Sequence, residues 1–435
     1  MSVPAFAFSD KALRTDEQPI SFLMAEAVTN PSLISLAAGL VDYASLPTGE
    51  VGRLASEILT EAQSGQVALQ YGTTHGLTEL REALLSHLAA LEGRSPQQMC
   101  LSSDNCIVTT GSQQGLYILS DILLNPGDLV ITSAPSYFVF TGTLASVGAD
   151  VRSVPIDEDG MRMDLLADLL AELDRSGQIG RLKMIYVVSY YQNPSGISLS
   201  AERRGELVAL ARRYSREHRI LVVEDSAYRE LRYDGPVLPS IKSFDPKNEY
   251  VALAMTFSKP FSAGMKTGYL FLPDELVDPV LQQKGNHDFG SNNLVQHVIC
   301  RALVSGVYQE HVERVRRAYI PKRDAMLEAL TAGFASLGDE VTWTRPAGGL
   351  YVWLTLPEDF DTRRGGELFN RCVKKGVLYV PGDYCFAPQP DRPVPTNHMR
   401  LSFGVVDIPS IHEGIRRLAE AVLEQAECQR AAPPA

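Results

Sequence analysis

The chain has 435 residues, 45% hydrophobic and 21% charged, which is the make-up of a globular protein too long for one simple core. Its net charge of −12 gives a nucleic-acid partner no electrostatic support, no apolar run is long enough to span a bilayer, and the opening MSVPAFAFSDKALRTDEQP lacks the pattern of a signal peptide, so a cytoplasmic protein is expected. Six cysteines (Cys100, Cys106, Cys300, Cys372, Cys385 and Cys428) lie without C-x-x-C spacing and read as reduced thiols, and with no HExxH motif or Cys/His cluster no metal site is expected.

Residues 1–47 are mixed and loop-rich around one apolar piece, LISLAAGL, ending at Leu40. A helix is predicted over about Gly49–Ser64, with Val51, Leu54, Ile58 and Leu59 on one face. The Tyr71-Gly72 break precedes an amphipathic helix marked by Leu77, Leu80, Leu84 and Leu88, and His75 reads as a loop or cap residue. From Cys106 the texture becomes strand, turn, helix, strand. IVTT, the GSQQG turn, LYILSDILL and the stop at Asn125-Pro126-Gly127-Asp128 come first. LVITS, DVRSVPI, a helix near Met163–Leu173 and MIYVVS follow, then a helix over Ala201–His218, ILVVED and VALAM. This alternation over residues 105–275 predicts an α/β domain with a largely parallel sheet.

After Ser305 come a long helix from Tyr308 to about Leu337 and paired strands in VTWTRPAGGLYVWLTL. A helix in GELFNRCVKKG, strands in GVLYVPG and HMRLSFG, and a tail helix over Ile408–Gln425 complete a smaller α+β domain, with the final QRAAPPA expected to be disordered. The expected division is 66–305 for the large domain, and 1–65 together with 306–435 for the small one.

In open α/β sheets the working residues gather beyond the carboxyl ends of the strands. There Gly111-Ser112-Gln113 opens a helix whose amides suit a phosphate, an N-capping serine being the plainer alternative. Tyr137 after LVITS suits stacking on a planar ring, or simple core. Asn193 is restrained by Pro194 so that its amide can face a fixed target. Asp225 ends an apolar strand, where a carboxylate is costly without a cation, and Tyr228 follows. Lys259 sits at the mouth of VALAM among hydroxyls and a glycine, which suits a nucleophilic amine that forms a Schiff base.

Together these residues fit pyridoxal 5′-phosphate. Lys259 would hold its aldehyde, Asp225 its protonated ring nitrogen, and Asn193 and Tyr228 its phenolic oxygen. Tyr137 would cover the ring face, while Gly111, Ser112, Gln113, Thr256 and Lys266 would hold the phosphate. The motifs YYQNPSG, VVEDSAY and TFSKPFSAGMKTGY, in this order, resemble the class I/II pyridoxal-phosphate aminotransferases of the aspartate aminotransferase fold, nearest the bacterial 2-aminoadipate/kynurenine-type branch. The resemblance runs from AAGL at residue 37 to RLSFG ending at 404. It implies fold type I and transfer of an amino group between an L-amino acid and a 2-oxo acid. It also implies a homodimer in which Tyr71 reaches the phosphate of the other subunit, Arg400 clamps the substrate α-carboxylate, and Gly39 lies beside the substrate.

Two positions depart from the family pattern. Lys266 stands where arginine is usual, and Ala263 where proline is usual. His287, Asp288 and Asn292 would meet a polar substrate or belong to a solvated loop. Elimination, replacement or cyclisation at the β or γ carbon is the alternative chemistry, since it uses the same carbanion. A cofactor-sensing regulator would need a basic recognition helix, which the residues before Tyr71 lack.

Overall fold

The computed structural model describes residues 6–17, 19, 21, 22, 26, 29, 30, 32–389 and 392–431. Its centre is an eight-stranded sheet. The strands are β2 (Cys106–Thr109), β3 (Leu129–Ala134), β4 (Asp150–Asp157), β5 (Gly160–Met161), β6 (Leu182–Val188), β7 (Leu221–Asp225), β8 (Val251–Thr256) and β9 (Gly268–Phe271), in the spatial order β2-β9-β8-β7-β6-β3-β4-β5. β2, β3, β4, β6, β7 and β8 point one way; β9 and β5 run against their neighbours. The central strands are near-continuous apolar runs because helices cover both faces of the sheet.

The period of two assigns each residue to a face. Met184, Tyr186 and Val188 of β6 join one hydrophobic cluster with the helices Ser112–Leu123 and Phe138–Val147. Ile185 and Val187 face the other way, onto the helices Met163–Arg175 and Ala201–Tyr214. Leu253 and Met255 of β8 pack with Leu80, Leu84 and Leu88 of the helix Thr78–Glu92.

β1 (Ile34–Ser35) pairs in parallel with β12 (Val377–Leu378), which ties the early chain to its last third. A four-stranded antiparallel sheet has the order β10 (Thr342–Trp343), β11 (Tyr351–Thr355), β14 (His398–Ser402), β13 (Val380–Pro381). Trp353 of β11 stands opposite Arg400 of β14. The long helices Val307–Gly333 and Ile408–Ala431 pack on each other beside it.

Several boundaries differ from expectation. The helix expected over Gly49–Ser64 is two helices, Thr48–Thr60 and Ala62–Leu69, separated at Glu61 by extended backbone. Its buried stripe is Leu54 and Ile58, four apart, and Leu59 turns outward. GVLYVPG splits at Tyr379 into β12 and β13, which serve different sheets. Of the tail expected to be disordered, Gln429–Ala431 lie in the last helix, and residues 432–435 lie outside the described residues. No helix among the described residues is long and apolar enough to cross a membrane.

Candidate active site

Strand register gathers the chemistry at one edge of the central sheet. Val188 stands opposite Asp225, and Asp225 opposite Ala254, so the chain leaves β6, β7 and β8 side by side carrying Asn193, Asp225 and Lys259. Asp225 is 4% exposed. Its carboxylate accepts from the Tyr186 hydroxyl at 2.9 Å and the Ala227 amide at 3.1 Å, and it has no cationic partner among the described residues. Burial pushes its pKa up to about 6 against the pull of those hydrogen bonds and of the Lys259 charge.

The Lys259 ammonium donates to the Gly39 carbonyl at 2.8 Å and pairs with no carboxylate among the described residues. Arg400 is buried to 1% exposure. One terminal nitrogen donates to Asn193 Oδ1 at 2.9 Å and the other to the Ala37 carbonyl at 2.7 Å, while Nε is buried without a partner. The guanidinium lies over the Tyr351 ring at 4.4 Å and has no acid to neutralise it among the described residues. A buried charge left unpaired costs several kcal/mol, so the buried Arg400 and Asp225, with the half-buried Lys259 beside them, suit a ligand of complementary charge.

The Tyr228 and Tyr351 hydroxyls meet at 3.2 Å. Tyr137 is half-buried at the start of the helix Phe138–Val147, and burial with the Asp225 charge nearby pushes its pKa up. Gly111 adopts φ +75° as the N-cap of the helix Ser112–Leu123, with no side-chain cap. Ser112 is therefore the first helical residue and not the capping serine, which leaves the first amides available to an anion. Gln113 donates to Thr143 at 3.2 Å and keeps a buried Oε1 without a partner. Thr256 stands opposite Gly268, and a Cβ on Gly268 would come within 2.5 Å of the Ser112 nitrogen, so the start of β9 abuts this turn. Lys266 just before it has left-handed backbone and an exposed side chain that has no partner among the described residues.

Tyr71 does not join the cluster within its own chain; it is 84% exposed and meets Phe289 edge-on at 5.8 Å. Asp288 pairs with the buried Lys284 at 2.8 Å and accepts from Gln114 at 2.8 Å, behind the Gly111 turn. His287 contacts Gln114 at 3.1 Å, and Asn292 caps the helix Asn293–Val304. These three have structural partners. Tyr186 and Tyr351 were not singled out from sequence, since both sit inside apolar runs that read as core. The only outward sign of Tyr351 is the Gly348-Gly349 pair before it.

The donor set fits pyridoxal phosphate: a buried carboxylate for a ring cation, an amine, free helix-start amides with Lys266 for a phosphate, and Arg400 for a carboxylate.

A family model described as "Aminotransferase class I and II" matches residues 31–418. The chain is 35% identical to the aromatic-amino-acid aminotransferase 1 of Thermococcus litoralis, over 96% of this chain and 94% of that one. The structure of Pyrococcus horikoshii kynurenine aminotransferase, in complex with PMP, superposes with a TM-score of 0.87 at 35% identity, covering 96% of this chain and 97% of that one. The alpha-aminoadipate aminotransferase of Thermus thermophilus, complexed with N-(5'-phosphopyridoxyl)-L-leucine, gives a TM-score of 0.81 at 31% identity, covering 97% and 98%.

Proposed function

The chain belongs to the class I and II aminotransferases, and from that premise we propose how its residues divide the work. It is a pyridoxal-phosphate-dependent enzyme of fold type I that moves an amino group between an L-amino acid and a 2-oxo acid. When bound, the cofactor supplies an electron sink for the charge left on the substrate carbon.

Lys259 would carry the cofactor, and its Nζ, once free, would take the proton from the substrate Cα and deliver it to the carbon that had borne the aldehyde. Asp225 holds the cationic ring nitrogen, Asn193 and Tyr228 the phenolic oxygen, and Tyr137 covers the ring. Gly111, Ser112, Gln113, Thr256 and Lys266 hold the phosphate, joined by Tyr71 of the partner subunit in a homodimer. Gly39 lines the substrate, and Arg400 binds its α-carboxylate. A large amino donor of the aromatic, kynurenine or 2-aminoadipate class is supported by the names of the three similar proteins. The 66–305 unit would carry the cofactor, with 1–65 and 306–435 beside it; the β1–β12 pairing supports that grouping for Ile34–Ser35, whereas Leu54 and Ile58 pack with Leu80 and Leu84 of the large unit. Six free thiols support a reducing, cytoplasmic setting.

The observation that carries this reading is Arg400: a guanidinium buried without an acid, held by Asn193 and a backbone carbonyl with one nitrogen to spare. Arg400→Lys keeps the charge and removes the planar fork. It is expected to raise KM for amino acids by about 10- to 100-fold, with a smaller loss in kcat. A KM unchanged from wild type would overturn the assignment.

A further inference from the structure

Tyr351 has no role in the division above, yet it is buried to 1% exposure at the centre of it. Its ring lies under the Arg400 guanidinium, and its hydroxyl lies 2.9 Å from where a Cβ on Gly39 would sit. The carbonyl of that glycine accepts from Lys259. The hydroxyl is thus boxed in by backbone on one side and by the Tyr228 hydroxyl, 3.2 Å away, on the other.

Two phenols at this distance share one hydrogen bond, and its direction follows from what else each must do. A Tyr228 that gives its proton to the cofactor's phenolic oxygen can only accept from its neighbour. We infer that Tyr351 is a positioning residue of the aminotransferase: its hydroxyl donates to Tyr228 and holds Tyr228 as a donor toward the cofactor. A hydroxyl that accepts one bond while donating another is polarised and donates more strongly. With only the chain's own groups acting, either hydroxyl can be the donor. Burial raises the Tyr351 pKa, but the Lys259 and Arg400 charges outweigh it and the net direction is down; burial and Tyr351 push Tyr228 well above its ordinary value. This donor order rests on Tyr228 facing the phenolic oxygen as proposed above.

The test uses Tyr351→Phe and Tyr228→Phe, both close in shape to the wild type. In the cofactor-free protein labelled with ¹³Cζ-tyrosine, one resonance is expected to titrate below the other tyrosines, to vanish in Y351F, and to titrate at higher pH once pyridoxal phosphate is added. In the holoenzyme, Y351F is expected to raise the pH midpoint of the visible cofactor band by about 0.5 pH unit or more. The sign is upward because a weaker donor leaves more charge on the phenolic oxygen, which holds the proton next to it to higher pH. A Y351F protein with the wild-type midpoint, while Y228F shifts it, overturns the inference alone. A midpoint unmoved in Y228F overturns the assignment of Tyr228 and this inference with it.

Discussion

In its proposed place beside the cofactor ring, Asp225 would couple cofactor binding to pH. Its pKa moves from the ordinary 3.8 up to about 6 because burial penalises the charge. Between those values the folded cofactor-free chain binds more protons than the unfolded one, so its stability falls as pH rises through the window, by about 3 kcal/mol in all. A ring cation beside Asp225 removes that penalty. The cofactor-free wild type is therefore expected to lose melting temperature relative to Asp225→Asn between about pH 4.5 and 6.5. Affinity for pyridoxal phosphate is expected to weaken more steeply on acidification below about pH 6 in wild type than in D225N. Melts in the two proteins that stay parallel across this range would refute it. Lys259 and Asp225 were legible in the sequence because each ends an apolar run where a charge needs a reason, Asn193 because Pro194 restrains it, and Arg400 only through the family resemblance. Tyr186 and Tyr351 were not, because a buried tyrosine reads as core until packing shows where its hydroxyl lands.

At the scale of elements, the site depends on how closely β9 approaches the turn after β2. A methyl on Gly268 would meet backbone on three sides, with the Ser112 nitrogen at 2.5 Å, the Gly111 carbonyl carbon at 2.6 Å and the Met255 oxygen at 2.7 Å. Backbone cannot swing aside as a flexible side chain can, so the turn and strand must part. Gly268→Ala is expected to cost about 1–3 kcal/mol of stability and to weaken cofactor binding about tenfold or more, read by thermal melts and fluorescence titration. Wild-type affinity in a folded G268A protein would show that the Gly111 turn does not hold the phosphate. The central strands were legible from sequence because a sheet covered on both faces demands unbroken apolar runs. Boundaries set by distant partners were not. The break at Glu61 and the split at Tyr379 answer to packing and to two different sheets, which no local pattern encodes.

For the whole molecule, the decisive residue is the one that turns away. The backbone of Tyr71 is anchored, since Asn293 donates to the carbonyls of Val67 and Gln70 at 2.9 and 3.1 Å. Its ring nonetheless stands in solvent, edge-on to the exposed Phe289, and lines one surface hollow with the exposed Val67. In the proposed twofold dimer this group would face the other chain and bring each Tyr71 to the opposite phosphate. Two defective proteins separate this from a self-contained subunit. Lys259→Ala lacks the amine, and Tyr71→Ala lacks the phosphate contact. In a mixed dimer one site collects both defects, while the other pairs a native Lys259 with a native Tyr71 of the partner subunit. Equal co-expression makes about half of the dimers mixed, so about a quarter of all sites recover full function. Activity near that fraction, well above the mean of the two parents, is expected. If each subunit completed its own site, mixing would return only the parental mean, because no combination of chains would put the two native residues together.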